Sequence, residues 1–111
     1  MIIEFSLERY ASPADAGLDP LDKRPLALFF CGLQIQTEAH VLAAVDFSDA
    51  EALSRHALFG FWNPEAGGSW SNGKKLALVL ESHAKWPGKI DLLLEAHCFG
   101  AAFPKCSFTV R

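Results

Sequence analysis

The sequence contains no apolar run long enough to cross a membrane, although half of its 111 residues are hydrophobic. A membrane-spanning helix needs about 20 consecutive apolar residues. The best candidate, residues 26–33, is much shorter, and it lies too far along the chain for a signal peptide. We therefore expect no membrane insertion.

An excess of basic charge is also missing. The chain has 10 Lys and Arg residues against 13 Asp and Glu residues, which gives a formal net charge of −3, and the two signs are interspersed. Without a basic stripe, the protein has little to neutralise a phosphate backbone. Nucleic acid is therefore not expected as a partner.

The sequence also lacks the motifs of the common enzyme classes. Its four histidines have no metal-binding spacing, and there is no Gly-x-Ser-x-Gly elbow, phosphate-binding loop or dinucleotide-binding glycine pattern. Asp91, Glu95 and His97 share one face of a predicted strand and are the best candidates for a small hydrolase site. Such carboxylates are more typical of a solvated sheet surface. We predict no enzyme activity, no metal and no cofactor.

Cysteine is scarce, with three residues and no Cys-x-x-Cys pair. Two interpretations stay open. Either all three thiols are reduced and pack as small hydrophobic side chains, or Cys98 and Cys106, which fall on the same face of two neighbouring predicted strands, form a disulfide. The second interpretation leaves Cys31 unpaired.

What the sequence does contain is apolar side chains at every second position, the period of a half-buried β-strand. In residues 2–9, Ile3, Phe5 and Leu7 alternate with polar residues. Further strands are predicted over residues 26–36, 39–47, 76–80, 90–98 and 106–110. Short helical turns are predicted at residues 12–15 and 48–56, the second opened by a capping box of Ser48 and Glu51. The pattern predicts an all-β fold, an antiparallel, jelly-roll-like β-sandwich with one or two short helical turns.

The most informative stretch is the loop predicted over residues 60–73, which is rich in glycine and holds Trp62 and Trp70. An indole ring offers a flat apolar platform with one donor, which suits stacking on a sugar ring. Asn63, Glu65 and Asn72 can hydrogen-bond sugar hydroxyls beside such a platform. These five residues are the predicted saccharide-binding site. The alternative, that the tryptophans close the open end of the core, also stays open.

This stretch, with the apolar strand after it, resembles a β-sandwich domain attached to bacterial glycosyltransferases and phosphoglycerol transferases. The pattern of that domain is Gly-aromatic-x-Gly-Pro-Glu-Pro-Trp-Gly-Arg-Trp-Ser-Asp-Gly. The positions that match are Gly60, Phe61, Pro64, Glu65, Gly68, Trp70, Ser71 and Gly73, and those that depart are Asn63, Ala66, Gly67, Ser69 and Asn72.

A second part of the chain resembles the closing segment of the same family. Residues 12–17, 22–26 and 33–35 are similar to Ser-Pro-Ala-Glu-Leu-Gly, then Asp-x-Arg-x-Leu, then a final strand. Residues 1–37 thus resemble the closing strands and residues 39–111 the opening strands. The resemblance implies a single β-sandwich domain, 1–111, that is permuted or is a fragment of a tandem repeat. Missing strands would expose sheet edges, so we predict a homo-oligomer, specifically a homodimer, formed through strand edges.

The resemblance also implies a function. We expect a non-catalytic, carbohydrate-associated accessory module linked to bacterial surface-glycan synthesis. Its ligand would be a saccharide, its partner a glycosyltransferase, and its location the cytoplasm or the periphery of the membrane. The alternative is a structural or protein-interaction β-sandwich that self-associates through exposed sheet edges.

Overall fold

The computed structural model of the chain describes residues 2–38, 40–80, 89–100 and, for the backbone alone, 108–110. Its elements in chain order are β1 (Ile2–Leu7), β2 (Leu28–Gln36), β3 (Val41–Asp46), α1 (Ala50–His56), β4 (Ala57–Phe59), β5 (Ser69–Trp70), β6 (Lys75–Val79), β7 (Asp91–Cys98) and β8 (Phe108–Val110). The predicted all-β, sandwich-like fold with a short helix is confirmed.

The strands form two antiparallel sheets. The first sheet has the order β4-β6-β1-β8. In the second sheet β2 is central, with β7 along one edge over its whole length, from Leu28 opposite Cys98 to Gln36 opposite Asp91. The other edge of β2 is shared, because β5 pairs with its first residues and β3 with residues 32–36.

The core lies between the sheets, and it follows the predicted alternation. Ile3, Phe5 and Leu7 of β1 are buried. Phe30 of β2 lies at the centre of an aromatic cluster, with ring centroids 5.3 Å from Phe5, 5.4 Å from Phe47 and 5.3 Å from Phe61. Residues from 3–35 and from 45–80 therefore pack into one core.

The helix α1 begins one residue later than the predicted capping box requires. Ser48 donates its hydroxyl and its backbone N–H to the Asp46 carboxylate, so it does not cap the helix. Asp49 is the N-cap instead, and its carboxylate accepts the N–H of Glu51. The helix is where it was predicted, but the capping residue was wrong, because the Ser48 hydroxyl is turned toward Asp46 and the Asp49 carboxylate accepts the Glu51 N–H instead.

The sequence predicted a loop over residues 60–73, but part of this stretch is paired with other strands. Trp62 and Trp70 lie opposite each other, joined by a backbone hydrogen bond of 2.9 Å, and residues 69–70 form β5 against β2. The glycines permit this close packing, since a Cβ at Gly68 would overlap the carbonyl oxygen of Phe30, and one at Gly60 would overlap Leu76. Long-range pairing with β2 thus orders a stretch that has no local strand periodicity.

The cysteines differ in state. Cys98 is disulfide-bonded, whereas Cys31 is a free, half-buried thiol. The interpretation in which all thiols are reduced is therefore wrong for Cys98. Its predicted partner, Cys106, lies outside the described residues.

Among the described residues, no helix combines the length and apolar character needed to span a membrane.

Candidate functional site

The outer face of the second sheet carries a row of three rings. Phe29 lies between Leu28 and Phe30, which are buried in the core, so its side chain projects to the opposite face. Its neighbours in register are Trp70 on β5 and His97 on β7. The Phe29 ring lies 4.9 Å from that of Trp70, and it stacks on the His97 imidazole at 6.2 Å with an interplanar angle of 9°. We call these three residues the aromatic row.

Glu65 and Ala66 stand beside the aromatic row, and together they line a shallow depression of about 430 Å³. Phe29 and Trp70 are half-buried, whereas His97 and Glu65 are exposed. The depression therefore combines two partly accessible aromatic rings with a carboxylate and an imidazole at its rim.

Next to the aromatic row, the same outer face contains a groove of about 360 Å³. We call it the central groove; it is lined by residues 31–34, 44–46 and 93–95. Gly32 lies opposite Asp46 on one side and Glu95 on the other, so backbone forms the floor between two carboxylates. In the next row Gln34 lies between Ala44 and Leu93, which adds an amide and apolar surface.

The aromatic row and the central groove meet at Cys31. Its Sγ lies 3.4 Å from Nε2 of His97. Burial, and to a smaller extent the charge of Glu95, raise the pKa of the Cys31 thiol. The thiol is therefore protonated at neutral pH and is a poor nucleophile.

At the other wall of the groove, Asp46 is held ionised. Hydrogen bonds from the Ser48 hydroxyl and backbone N–H lower the pKa of the Asp46 carboxyl. This carboxylate therefore remains an acceptor over the whole neutral range.

The predicted site residue Trp62 is placed by packing. It lies against a second, smaller core cluster around Leu26 and Phe99, and its indole Nε1 is buried with no hydrogen-bond partner among the described residues. The Arg24 guanidinium lies 6.0 Å from the Trp62 ring centroid. Trp62 is thus covered on one side by core residues and on another by a cation.

Arg24 contacts two acidic residues that are far apart in the sequence, Asp22 and Glu65. It makes a bidentate ion pair with Asp22, with Nε–Oδ1 at 2.9 Å and Nη2–Oδ2 at 2.7 Å. Its Nη1 lies 3.7 Å from Oε2 of Glu65. This arrangement fixes residues 22–24 against residues 62–65, at one end of the sandwich.

The five predicted site residues do not share one surface. Glu65 and Trp70 line the depression over the aromatic row. Trp62 and Asn63 line a different cleft, of about 300 Å³, between α1 and residues 58–64. Asn72 is exposed and lines neither of them.

The three residues considered for a hydrolase are spread along β7. Asp91 and His97 are six residues apart on an extended strand, which places their Cα atoms about 20 Å apart. They are too distant to act on one bond. In the described part of the chain, no three His, Cys, Asp or Glu side chains come together as metal ligands would.

Sequence reasoning did not propose Phe29, Cys31 or Gln34 as site residues, although the alternation of residues 33–36 placed Gln34 on the face opposite Leu33 and Ile35. Phe29 lies in a run that is apolar on both faces, so no alternation marked it as outward-facing. A β-bulge between Phe30 and Gly32 also shifts the register along β2. The alternation of Asp91, Glu95 and His97 did mark the outer face of β7.

Comparison of the chain with protein-family models, curated proteins and solved structures gave no match.

Proposed function

We propose that this domain is a non-catalytic glycan-binding module, and that the outer face of its second sheet binds the sugar. The observation that supports this proposal is the continuity of the aromatic row with the central groove. Stacked rings and hydrogen-bonding side chains lie side by side on one rigid sheet.

The aromatic row supplies the apolar part of such a site. The C–H face of a pyranose ring packs on indole and phenyl faces, and this burial supplies much of the affinity for neutral sugars. Trp70 and Phe29 belong to paired strands, so binding requires little ordering of their side chains.

The central groove supplies the polar part. Asp46 and Glu95 are acceptors for sugar hydroxyls, and the Gln34 amide both donates and accepts. Because the charged side chains of the groove are carboxylates, anionic glycans are repelled. The proposal is therefore specific to neutral or amine-bearing sugars.

Association with a glycosyltransferase, and a location in the cytoplasm or at the membrane periphery, are further proposals that rest on the sequence resemblance alone. The protonated Cys31 thiol and the spread of Asp91, Glu95 and His97 along β7 are in keeping with a module that binds without catalysis.

The experiment is an NMR titration of the ¹⁵N-labelled domain with a panel of neutral, amine-bearing and anionic bacterial saccharides. We expect saturable shifts of the Trp70 indole and of backbone amides at residues 29–34 and 93–97. The Trp62 indole, which packs on the same small core cluster as Trp70 but lines the cleft beside α1, should shift much less than that of Trp70.

Two outcomes would contradict the proposal. Saturable shifts at Trp62 and Asn63 alone would move the site to the cleft beside α1. No shift with any saccharide would favour the structural interpretation, in which the tryptophans serve packing.

A further inference from the structure

Strand β7 has one edge without a partner strand. It pairs with β2 over all eight of its residues, and no second strand pairs with it in the part of the chain that the structure describes. Every second residue of such an edge directs its backbone N–H and C=O away from the sheet. The sequence of β7 contains no Pro and no Lys, the residues that commonly prevent edge pairing.

The other edge strands of the two sheets are shorter. Among the described strands, the edge strands β4 and β8 have three residues each, β5 has two, and β3 has six. β7 also exposes apolar surface, since Leu92 is 38% and Leu93 53% exposed. It is the longest of these edge strands.

We propose that β7 pairs antiparallel with β7 of a second copy of this chain, about a twofold axis that passes through Leu94. The two four-stranded sheets then become one continuous sheet. This inference does not depend on glycan binding, because it concerns the backbone edge of β7, although residues 93–95 also line the central groove.

The faces of β7 restrict the register. Odd-numbered residues from Asp91 to His97 project to the outer face, and Leu92, Leu94 and Ala96 project to the inner face. Directly opposite residues in an antiparallel pair project to the same face. A continuous sheet therefore pairs outer residues with outer residues, which centres the axis on a residue and not between two residues.

The registers with the largest overlap have the axis at Leu94, over residues 91–97, or at Glu95, over residues 92–98; axes at Leu93 and Ala96 overlap only residues 91–95 and 94–98, and the Ala96 axis pairs Glu95 with His97. Charge separates the remaining three. An axis at Leu93 places Asp91 opposite the second copy's Glu95, and an axis at Glu95 places two Glu95 carboxylates opposite each other. Both arrangements set like charges side by side, which is destabilising. An axis at Leu94 instead places Asp91 opposite the second copy's His97, twice.

Side-chain size favours the same register. With the axis at Leu94, Leu92 lies opposite the small Ala96 of the second copy, and this pairing covers part of its exposed surface. Leu93 lies opposite Glu95, whose aliphatic stem packs on it while the carboxylate stays in water.

The register is tested by cysteine cross-linking in the Cys31→Ser background, under mild oxidation. Leu94→Cys alone, and an equimolar mixture of Leu93→Cys and Glu95→Cys, should each form disulfide-linked dimers. Leu93→Cys alone and Glu95→Cys alone should not, since those pairs are offset along the strand. Cross-linking of either single variant in preference to Leu94→Cys would overturn the register.

The association itself is tested by sedimentation equilibrium of the parent protein and of charge variants. Asp91→Lys should raise the dimer dissociation constant about tenfold, because it places like charges opposite each other twice. The double variant Asp91→Lys/His97→Glu should restore dimerisation, and Glu8→Lys, with the same charge change on an exposed residue away from β7, should leave it intact. A strictly monomeric protein at millimolar concentration, or equal effects of Asp91→Lys and Glu8→Lys, would overturn the proposal.

Discussion

Gly32 of β2 lies directly opposite Glu95 of β7, so a carboxylate stands beside a position that has no side chain. The central groove exists because of this pairing. A Cβ at Gly32 would have only the Val45 carbonyl oxygen near it, at 3.8 Å, which is an ordinary contact. A side chain at position 32 can therefore fill the groove without disturbing the core.

Gly32→Val should abolish saccharide binding while leaving the fold intact. The added methyl groups occupy the groove, and replacing glycine within a strand should stabilise the protein by up to about 1 kcal/mol. Binding is measured by NMR titration and stability by thermal unfolding. Gly100→Val is the matched control, because a Cβ there meets nothing within 4 Å. Retained affinity in a folded Gly32→Val protein would place the sugar elsewhere.

A second prediction concerns Ser71, which joins the stretch after β5 to β2. Its buried hydroxyl accepts the N–H groups of Ala27 and Leu28, at 3.2 and 3.0 Å. Ser71→Ala leaves these buried donors without this acceptor, which should cost about 2–4 kcal/mol of unfolding free energy. Urea denaturation measures it.

Ser54→Ala is the control for that experiment. Ser54 is exposed on α1, where alanine is a good helix former, so the change should stay within about 0.5 kcal/mol. If the two variants were equally stable, the Ser71 hydroxyl would not hold residues 69–71 on β2.

The sequence predicted features that depend on local patterns, and it did not predict features that depend on long-range strand pairing. Period-two alternation identified the buried face of β1 and the outer face of β7, because each pattern is local. The strands β4 and β5 have three and two residues, too few for any periodicity, and both form through long-range pairing. Whether Phe29 faces outward depends on that pairing and on the bulge after Phe30. The aromatic row therefore depends on tertiary structure, and the sequence alone could not predict that these three residues lie side by side.

A third prediction concerns the ion pair of Arg24 and Asp22. Hydrogen bonds from the guanidinium hold the pKa of the Asp22 carboxyl below its usual range. A carboxyl with a lowered pKa stabilises the fold above its unfolded pKa, and this contribution disappears as the pH falls through the folded pKa. Arg24→Gln should therefore raise the pKa of Asp22, and the stability difference from the parent protein should vanish in acid.

Carboxyl ¹³C NMR over an acid pH series measures this pKa directly. Asp46 is the internal control, since its pKa is lowered by Ser48 and not by Arg24. Ser48→Ala should show the reverse pattern, with Asp46 shifted and Asp22 unchanged. A shift of both carboxyls in either variant would indicate a general structural change instead of the two local interactions.

The last prediction concerns the thiols. Alkylation requires the thiolate, so the raised pKa of Cys31 should make it react with iodoacetamide more slowly at neutral pH than a free cysteine does. Glu95→Gln should lower that pKa and accelerate the reaction, but only in part, because burial is the larger cause. Glu8→Gln, which removes the same charge away from the groove, should have no effect.

Cys98, being disulfide-bonded, should be modified only after reduction, and peptide mass spectrometry assigns each site. Rapid alkylation of Cys31 at neutral pH would contradict the raised pKa and would mean that the His97 imidazole, 3.4 Å away, activates the thiol.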